Sequence, residues 1–313
     1  MTPTTEDALT ATAAVDRIEA AVHPRPQDRR LHARGEAYDA VFTPSGVLSD
    51  LTTARHLREQ TAAVVRFSNG SGNQNADDRV RGIRGMAVKF LDGQTGVADL
   101  VAANFRVFPS RNPDGFVELV EIISGLDGPP AAKARSAAGL AALLRRHPES
   151  RGPLLDFVRR QPPASFARCR YDGLHAFHLV DADGRRTPFR YRLLPVLGEL
   201  DLDRATGLDR RFLTGELQEL LAAGPVEFTI AFQLGEPGDP TDDPSKAWPE
   251  QRRLVSAGTL AITGLAADQQ HWERQVFDPT RLPEGVEQSD DAVLAFRPQA
   301  YGVSAERRLS ART

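Results

Sequence analysis

Alternation of apolar and polar side chains with period two recurs along this chain and commits it to a fold built on β-strands. It is found in Val64–Ser68, in the MAVKFL run at 86–91, on both sides of an Asp183–Gly184 turn between His175 and Pro195, in VEFTIAFQL from Val226 and in GTLAITGL from Gly258. Successive side chains of a strand point to opposite faces, so each run offers one face to a core. The Asp-Gly turn makes the stretch from His175 a β-hairpin. Between residues 116 and 161 the period changes, and GFVELVEIISGL, AAKARSAAGLAALLRRHPES and GPLLDFVRRQ read as short helices punctuated by Gly and Pro. Residues 5–22 also read as an amphipathic helix, with Thr4 or Thr5 as its cap and Pro24 as its stop.

Composition narrows the class. At 313 residues with 41% hydrophobic content, the chain can bury a large core and fits two ordinary domains or one large one. A net charge of -3 supplies no basic field for nucleic acid. The single cysteine, Cys169, excludes an internal disulfide framework and suits a reducing compartment, so a cytoplasmic location is expected. The first residues lack the basic start and unbroken apolar core of a signal peptide, and no stretch approaches the roughly 20 apolar residues of a membrane span.

Two sites carry candidate chemistry. Near the end, in SDDAVLAFRPQAYGVSAERRL from Ser289, Arg297 and Tyr301 are four apart and share one helix face, with Arg308 two turns further on. A phenol is ordinarily protonated at neutral pH, and a guanidinium one turn away favours its ionised form. An arginine-supported tyrosinate suits a ferric haem as an axial ligand. The same spacing also fits an amphipathic helix with a solvated Arg and a half-buried Tyr. Near the beginning, His32 is a candidate base, because an imidazole exchanges a proton close to neutral pH; a strand histidine with one satisfied hydrogen bond is the plain alternative. His175 and His178, three apart on a strand, would face opposite ways and read as barrel or surface residues.

The C-terminal pattern of Arg297, Tyr301 and Arg308, with its lead-in FDPTRLPEGVEQSDD from Phe277, resembles the haem-ligand helix of the haem catalases. The resemblance extends to RRLHARG at 29–35, with Arg29, His32, Arg34 and Gly35 in the places of the family's distal strand. It also covers AAVVRFSNGSGNQNADDRVRGIRGMAVKFL, where VRFS, ADD, RGIRG and VKF follow one another at the family's distances, and DLVAANFRVFPSRNPDGFVEL from Asp99. It implies a metal-ligating Tyr301 supported by Arg297, a distal His32 oriented by Ser68, and Arg29, Arg66 and Arg308 at the propionates of a haem b. Val101 would line the distal pocket and Phe116 would stack on the haem. Where catalases carry the distal asparagine, this chain has Ala103; Asn104 matches the second asparagine of that pair and is retained as a catalytic candidate.

The implied fold is α+β: a catalase-like antiparallel β-barrel, closed so that no strand edge is left open, with surrounding helices and a C-terminal haem-ligand helix. Residues 1–22 would form an N-terminal helical arm and 23–313 the haem-binding barrel domain, covering only the barrel core of the large catalases. The implied activity is a haem-dependent oxidoreductase in which hydrogen peroxide or an organic hydroperoxide oxidises a small organic substrate, with weak catalase activity. Two alternatives stand beside it: a hydroperoxide isomerase or lyase like the catalase-related allene oxide synthases, and a haem-free barrel serving as a binding module. The expected partners are the peroxide and an organic substrate, without nucleic acid or a membrane span, in a monomer or homodimer.

Overall fold

The computed structural model describes residues 9–127, 129–204 and 207–311. Its strands are β1 (Gly35–Pro44), β2 (Thr61–Asn69), β3 (Arg84–Asp92), β4 (Thr95–Ala103), β5 (Tyr171–Gly173), β6 (Phe177–Val180), β7 (Arg186–Pro195), β8 (Val226–Leu234), β9 (Leu254–Leu265) and β10 (Val286–Gln288). Its helices are α1 (Ala11–Val22), α2 (Pro113–Ser124), α3 (Pro130–Arg146), α4 (Arg151–Arg159), α5 (Phe212–Ala223), α6 (Gln269–Arg274) and α7 (Ala292–Ser310). Running β1-β2-β3-β4-β5-β7-β8-β9 and back to β1, the antiparallel pairings close a barrel, and β6 and β10 extend the sheet beside β7. Closure leaves no edge among the strands of the ring, as expected.

The barrel interior is filled by one face of each strand, including Phe42, Val65, Phe67, Val88, Tyr171, Tyr191, Phe228 and Ile262. Strand β2 is buried on both faces, because helices cover its outer side. On that outer side, three rows cross β2, β3 and β4: Ser68, Gly85 and Ala103; Arg66, Ala87 and Val101; Val64, Lys89 and Asp99. The period-two pattern therefore positions functional side chains outward as surely as it buries aromatic ones inward. Helices α1, α2 and α7 pack on one another over these rows.

The hairpin anticipated at Asp183–Gly184 is formed by β6 and β7, with Gly184 at φ 79. Helix α1 starts later than the periodicity suggests: Thr10 caps it by accepting from the Ala13 amide, and His23, at φ 46, ends it before Pro24. The caps anticipated at Thr4 and Thr5 lie outside the described residues. His32 departs from the strand expected for it, lying in the loop ahead of β1 at φ 54. That left-handed backbone is uncommon for a residue with a Cβ and interrupts strand pairing. No helix among the described residues is long and apolar enough to cross a membrane.

Candidate active site

Between the outer rows of the barrel and α1, α2 and α7 lies a cavity of about 870 Å³. His32, Arg66, Ser68, Val101 and Ala103 line it from the barrel side, Phe116 from α2, and Arg297, Tyr301 and Arg308 from α7. Residues more than 260 positions apart in the chain thus share one space.

His32 is held at three points. Its amide donates to the Gly70 carbonyl at 3.2 Å, its carbonyl accepts from Arg66 at 3.2 Å, and its Nδ1 is 2.9 Å from Ser68 Oγ. A Cβ on Gly85 would lie 2.7 Å from the imidazole Nδ1 and 2.8 Å from Ser68 Oγ, so the final glycine of RGIRG is the gap into which this pair fits. Burial, followed by the charges of Arg66, Arg297, Arg29 and Arg84, pushes the imidazole down to about 3. It is therefore neutral across the physiological range and able to accept a proton.

On α7 the geometry runs as a chain. Asp291 caps the helix, its Oδ1 accepting from the Val293 and Leu294 amides at 2.8 and 3.1 Å, which are unpaired donors of a helix's first turn. Its Oδ2 lies 2.6 Å from His175 Nδ1, and His175 Nε2 lies 2.8 Å from an Arg297 nitrogen. A guanidinium only donates, so His175 Nε2 accepts and Nδ1 carries the hydrogen given to Asp291. Burial holds His175 down at about 4, in keeping with that neutral tautomer. Arg297, braced in this way, donates from Nε to the Tyr301 oxygen at 3.0 Å and from a second nitrogen as well. The Tyr301 oxygen thus takes two charge-assisted hydrogen bonds from one guanidinium.

At another part of the wall stand Arg29, Arg66 and Arg308. Arg66 donates twice to Glu273 Oε1, at 3.1 and 2.9 Å. Arg29 reaches the carbonyls of Trp272, Glu273 and Gln275, and Arg308 those of Glu273, Arg274 and Gln275, at the C-terminal end of α6. The Arg29 Nε is buried without a hydrogen-bond partner among the described residues.

Phe116 packs against Phe108 at 4.9 Å, and Val101 is pinned by Tyr191, whose hydroxyl accepts from its amide and donates to its carbonyl, both at 2.9 Å. Asn104 is not brought into this group. It lies one residue beyond Ala103, where strand alternation turns it away, and its Oδ1 accepts from the Arg84 amide at 2.8 Å. Sequence reasoning missed His175, Asp291, Glu273 and the fit of Gly85. Asp291 carried the one readable signal, an N-cap residue just ahead of an apolar helical run.

Comparison with known proteins meets this geometry from outside. The catalase family model matches residues 2–313. The chain belongs to the catalase family. Its relatives include the catalase-related peroxidase of Mycolicibacterium paratuberculosis (strain ATCC BAA-968 / K-10), 40% identical over 96% of this chain and 95% of that protein. The catalase-related peroxidase of Synechococcus elongatus (strain ATCC 33912 / PCC 7942 / FACHB-805) is 29% identical over 90% of this chain and 83% of its own length. Catalase-2 of Bacillus subtilis (strain 168) is 28% identical over 89% of this chain, but only 43% of that protein is covered. Within the catalase family, the chain thus matches the catalase-related peroxidases along nearly their whole length and the larger catalases along a part.

Proposed function

We propose that this catalase-family protein is a haem peroxidase, taking hydrogen peroxide or an organic hydroperoxide as oxidant for a small organic substrate. The observation that carries the proposal is Tyr301, whose oxygen accepts two guanidinium N–H bonds in a cavity that also presents a neutral His32. The wall fits a haem: the cavity is lined largely by apolar side chains, and the three arginines at one part of it, with the Arg29 Nε that makes no hydrogen bond among the described residues, suit two carboxylates. We take the haem to be haem b. Tyr301 would ligate its iron, Arg29, Arg66 and Arg308 would hold its propionates, and Phe116 and Val101 would line its site. Bound there, the haem supplies an iron centre able to accept the oxidising equivalents of a peroxide.

The residues of the chain do the rest. In the tautomer whose Nδ1–H donates to Ser68 Oγ, 2.9 Å away, His32 has a lone pair on Nε2 to take the proton of R–O–O–H. It returns that proton to the departing RO oxygen, and proton transfer of this kind is worth roughly 10²–10⁴-fold. Arg297, fixed by His175 and Asp291, keeps positive charge against the Tyr301 oxygen. Ala103 has only a methyl to offer where an oriented donor would stand, and the absence of such a donor is worth about 10² in rate. Peroxide dismutation is accordingly weak, and oxidation of an organic reductant dominates.

The test is an absorption spectrum of the protein expressed with haem, wild type beside Tyr301→Phe, followed by oxygen release and reductant oxidation. A Soret band altered in the variant, with reductant oxidised faster than oxygen is released, is expected. Ala103→Asn should raise oxygen release by about 10². A variant spectrum identical to wild type would overturn Tyr301 as ligand, consumption of organic hydroperoxide without reductant would make the protein an isomerase, and failure to take up haem would leave a binding module.

A further inference from the structure

Glu273 stands behind the arginine cluster rather than in the cavity wall. Its Oε1 accepts from Arg66 Nε at 3.1 Å and from a terminal Arg66 nitrogen at 2.9 Å, and its Oε2 lies 3.6 Å from Arg29 Nε. Glu273 is a quarter exposed, whereas the Arg66 side chain is nearly buried. Burial raises the carboxyl, but the charges of Arg66, Arg29 and Arg308 outweigh it and hold the group below the usual carboxylate range. A carboxylate so placed faces the same two guanidiniums that a dianionic cofactor would meet from the cavity side.

We propose that Glu273 is a resident counter-ion: it holds Arg29 and Arg66 together in the empty protein and, by like-charge repulsion, weakens the binding of a dicarboxylate ligand. The inference rests on the haem reading above. Its sign follows from electrostatics. In the empty protein Glu273 meets only attraction from Arg66 and Arg29. With two carboxylates on the far side of the same arginines, that attraction is opposed by repulsion between like charges, so the pairing is worth less. Anything that stabilises the empty state more than the loaded one lowers affinity by the same factor. Glu273 thus lets the chain fold around a cluster of like charges before its cofactor arrives, and keeps the cofactor exchangeable.

The experiment compares wild type, Glu273→Gln and Glu273→Asp as apoproteins and after titration with haemin or with haemin dimethyl ester, whose carboxylates are masked. Melting temperature and the Soret titration are the readouts, neither of which depends on turnover. For Glu273→Gln the apoprotein should melt about 2–4 °C lower, the haemin-loaded form should shift by less than half of that, and haemin affinity should rise roughly three- to tenfold. Affinity for the dimethyl ester should stay within about twofold, because a neutral ligand adds no repulsion. Glu273→Asp keeps the charge and should stay close to wild type in both readouts. Equal melting shifts in the empty and loaded forms would reduce Glu273 to an ordinary structural residue, and weaker haemin binding by Glu273→Gln would make it an aid to binding; either result overturns the proposal. Should Glu273→Gln fold only when haemin is supplied, the proposal is supported in its strongest form; if it folds in neither condition while Glu273→Asp behaves as wild type, the idea is wrong. A wild type that binds no haemin would sink the functional reading itself, which is a different outcome from a wild type that binds and a variant that binds no better.

Discussion

At the scale of single residues, the decisive fits are between groups that carry chemistry and groups that make room for them. His32 was recognisable from its surroundings, but its conformation was not: the left-handed φ of 54 and the carbonyl of Gly70 that fixes it are properties of the folded loop. Gly85 shows the same dependence. In the sequence it is the end of RGIRG, and only cross-strand register places it beside Ser68 with the imidazole against its open side. Gly85→Ala should therefore displace His32 and Ser68 while leaving Tyr301 and the arginines untouched. The expected outcome is a haem Soret band of normal intensity with hydroperoxide-dependent turnover reduced by about 10²–10³, the order of a lost general base. Normal turnover in that variant would show that His32 is not held as described. Asn104 marks the limit of matching by position, since its neighbour Ala103 lines the cavity and strand alternation turns Asn104 toward the Arg84 backbone.

At the scale of elements, the helix bearing Tyr301 is tied to the barrel by the segment that leads into it. Lys89 on β3 and Asp99 on β4 are opposite each other, each 2% exposed, with the Lys89 Nζ 2.7 and 2.8 Å from the two carboxylate oxygens. The same ammonium donates to the Val276 carbonyl at 3.1 Å, and Asp99 Oδ2 accepts from the Asp278 amide at 2.8 Å. One buried pair thereby anchors residues 276–278 between α6 and α7. Removing Lys89 leaves the buried Asp99 with only the part-exposed Arg281, 3.6 Å away, as counter-charge, so Lys89→Met should destabilise the protein by about 3 kcal/mol in urea unfolding. The double variant Lys89→Met with Asp99→Asn, which keeps an acceptor for Asp278, should recover more than half of that loss. Additive losses would mean that the two side chains act independently. Strands β2, β3 and β6 to β9 and the C-terminal helix were readable from periodicity, whereas β1, β4 and β10 lay within stretches recognised only by resemblance, β5 was not anticipated, and the buried Lys–Asp pair spanning β3 and β4 had no local signal.

At the scale of the whole molecule, folding excludes protons from three buried histidines. Burial holds His56 and His175 at about 4 and His32 at about 3, against an ordinary value of 6.5. Below pH 6.5 the unfolded chain binds protons that the native chain refuses, so the stability these groups contribute is present above pH 6.5 and drains away as pH falls toward 4. His56, packed against Phe90 with ring centroids 4.6 Å apart and far from the α7 network in sequence, isolates the effect. His56→Phe should lose about 2–3 kcal/mol less than wild type between pH 7 and pH 4.5 in denaturant unfolding of the apoprotein; parallel losses would show that His56 is not buried neutral. The sequence by itself determined the strand-rich core, the hairpin at Asp183, the helices of the middle and C-terminus, and the spacing of Arg297 and Tyr301, because these depend on side-chain period, turn chemistry and helical geometry within a few residues. Tertiary structure alone decided that His175 and Asp291 brace Arg297, that Glu273 backs the arginines, and that Asn104 stays outside. Those relations join residues from different elements, and barrel closure, which no local pattern encodes, is what brings them within hydrogen-bonding distance.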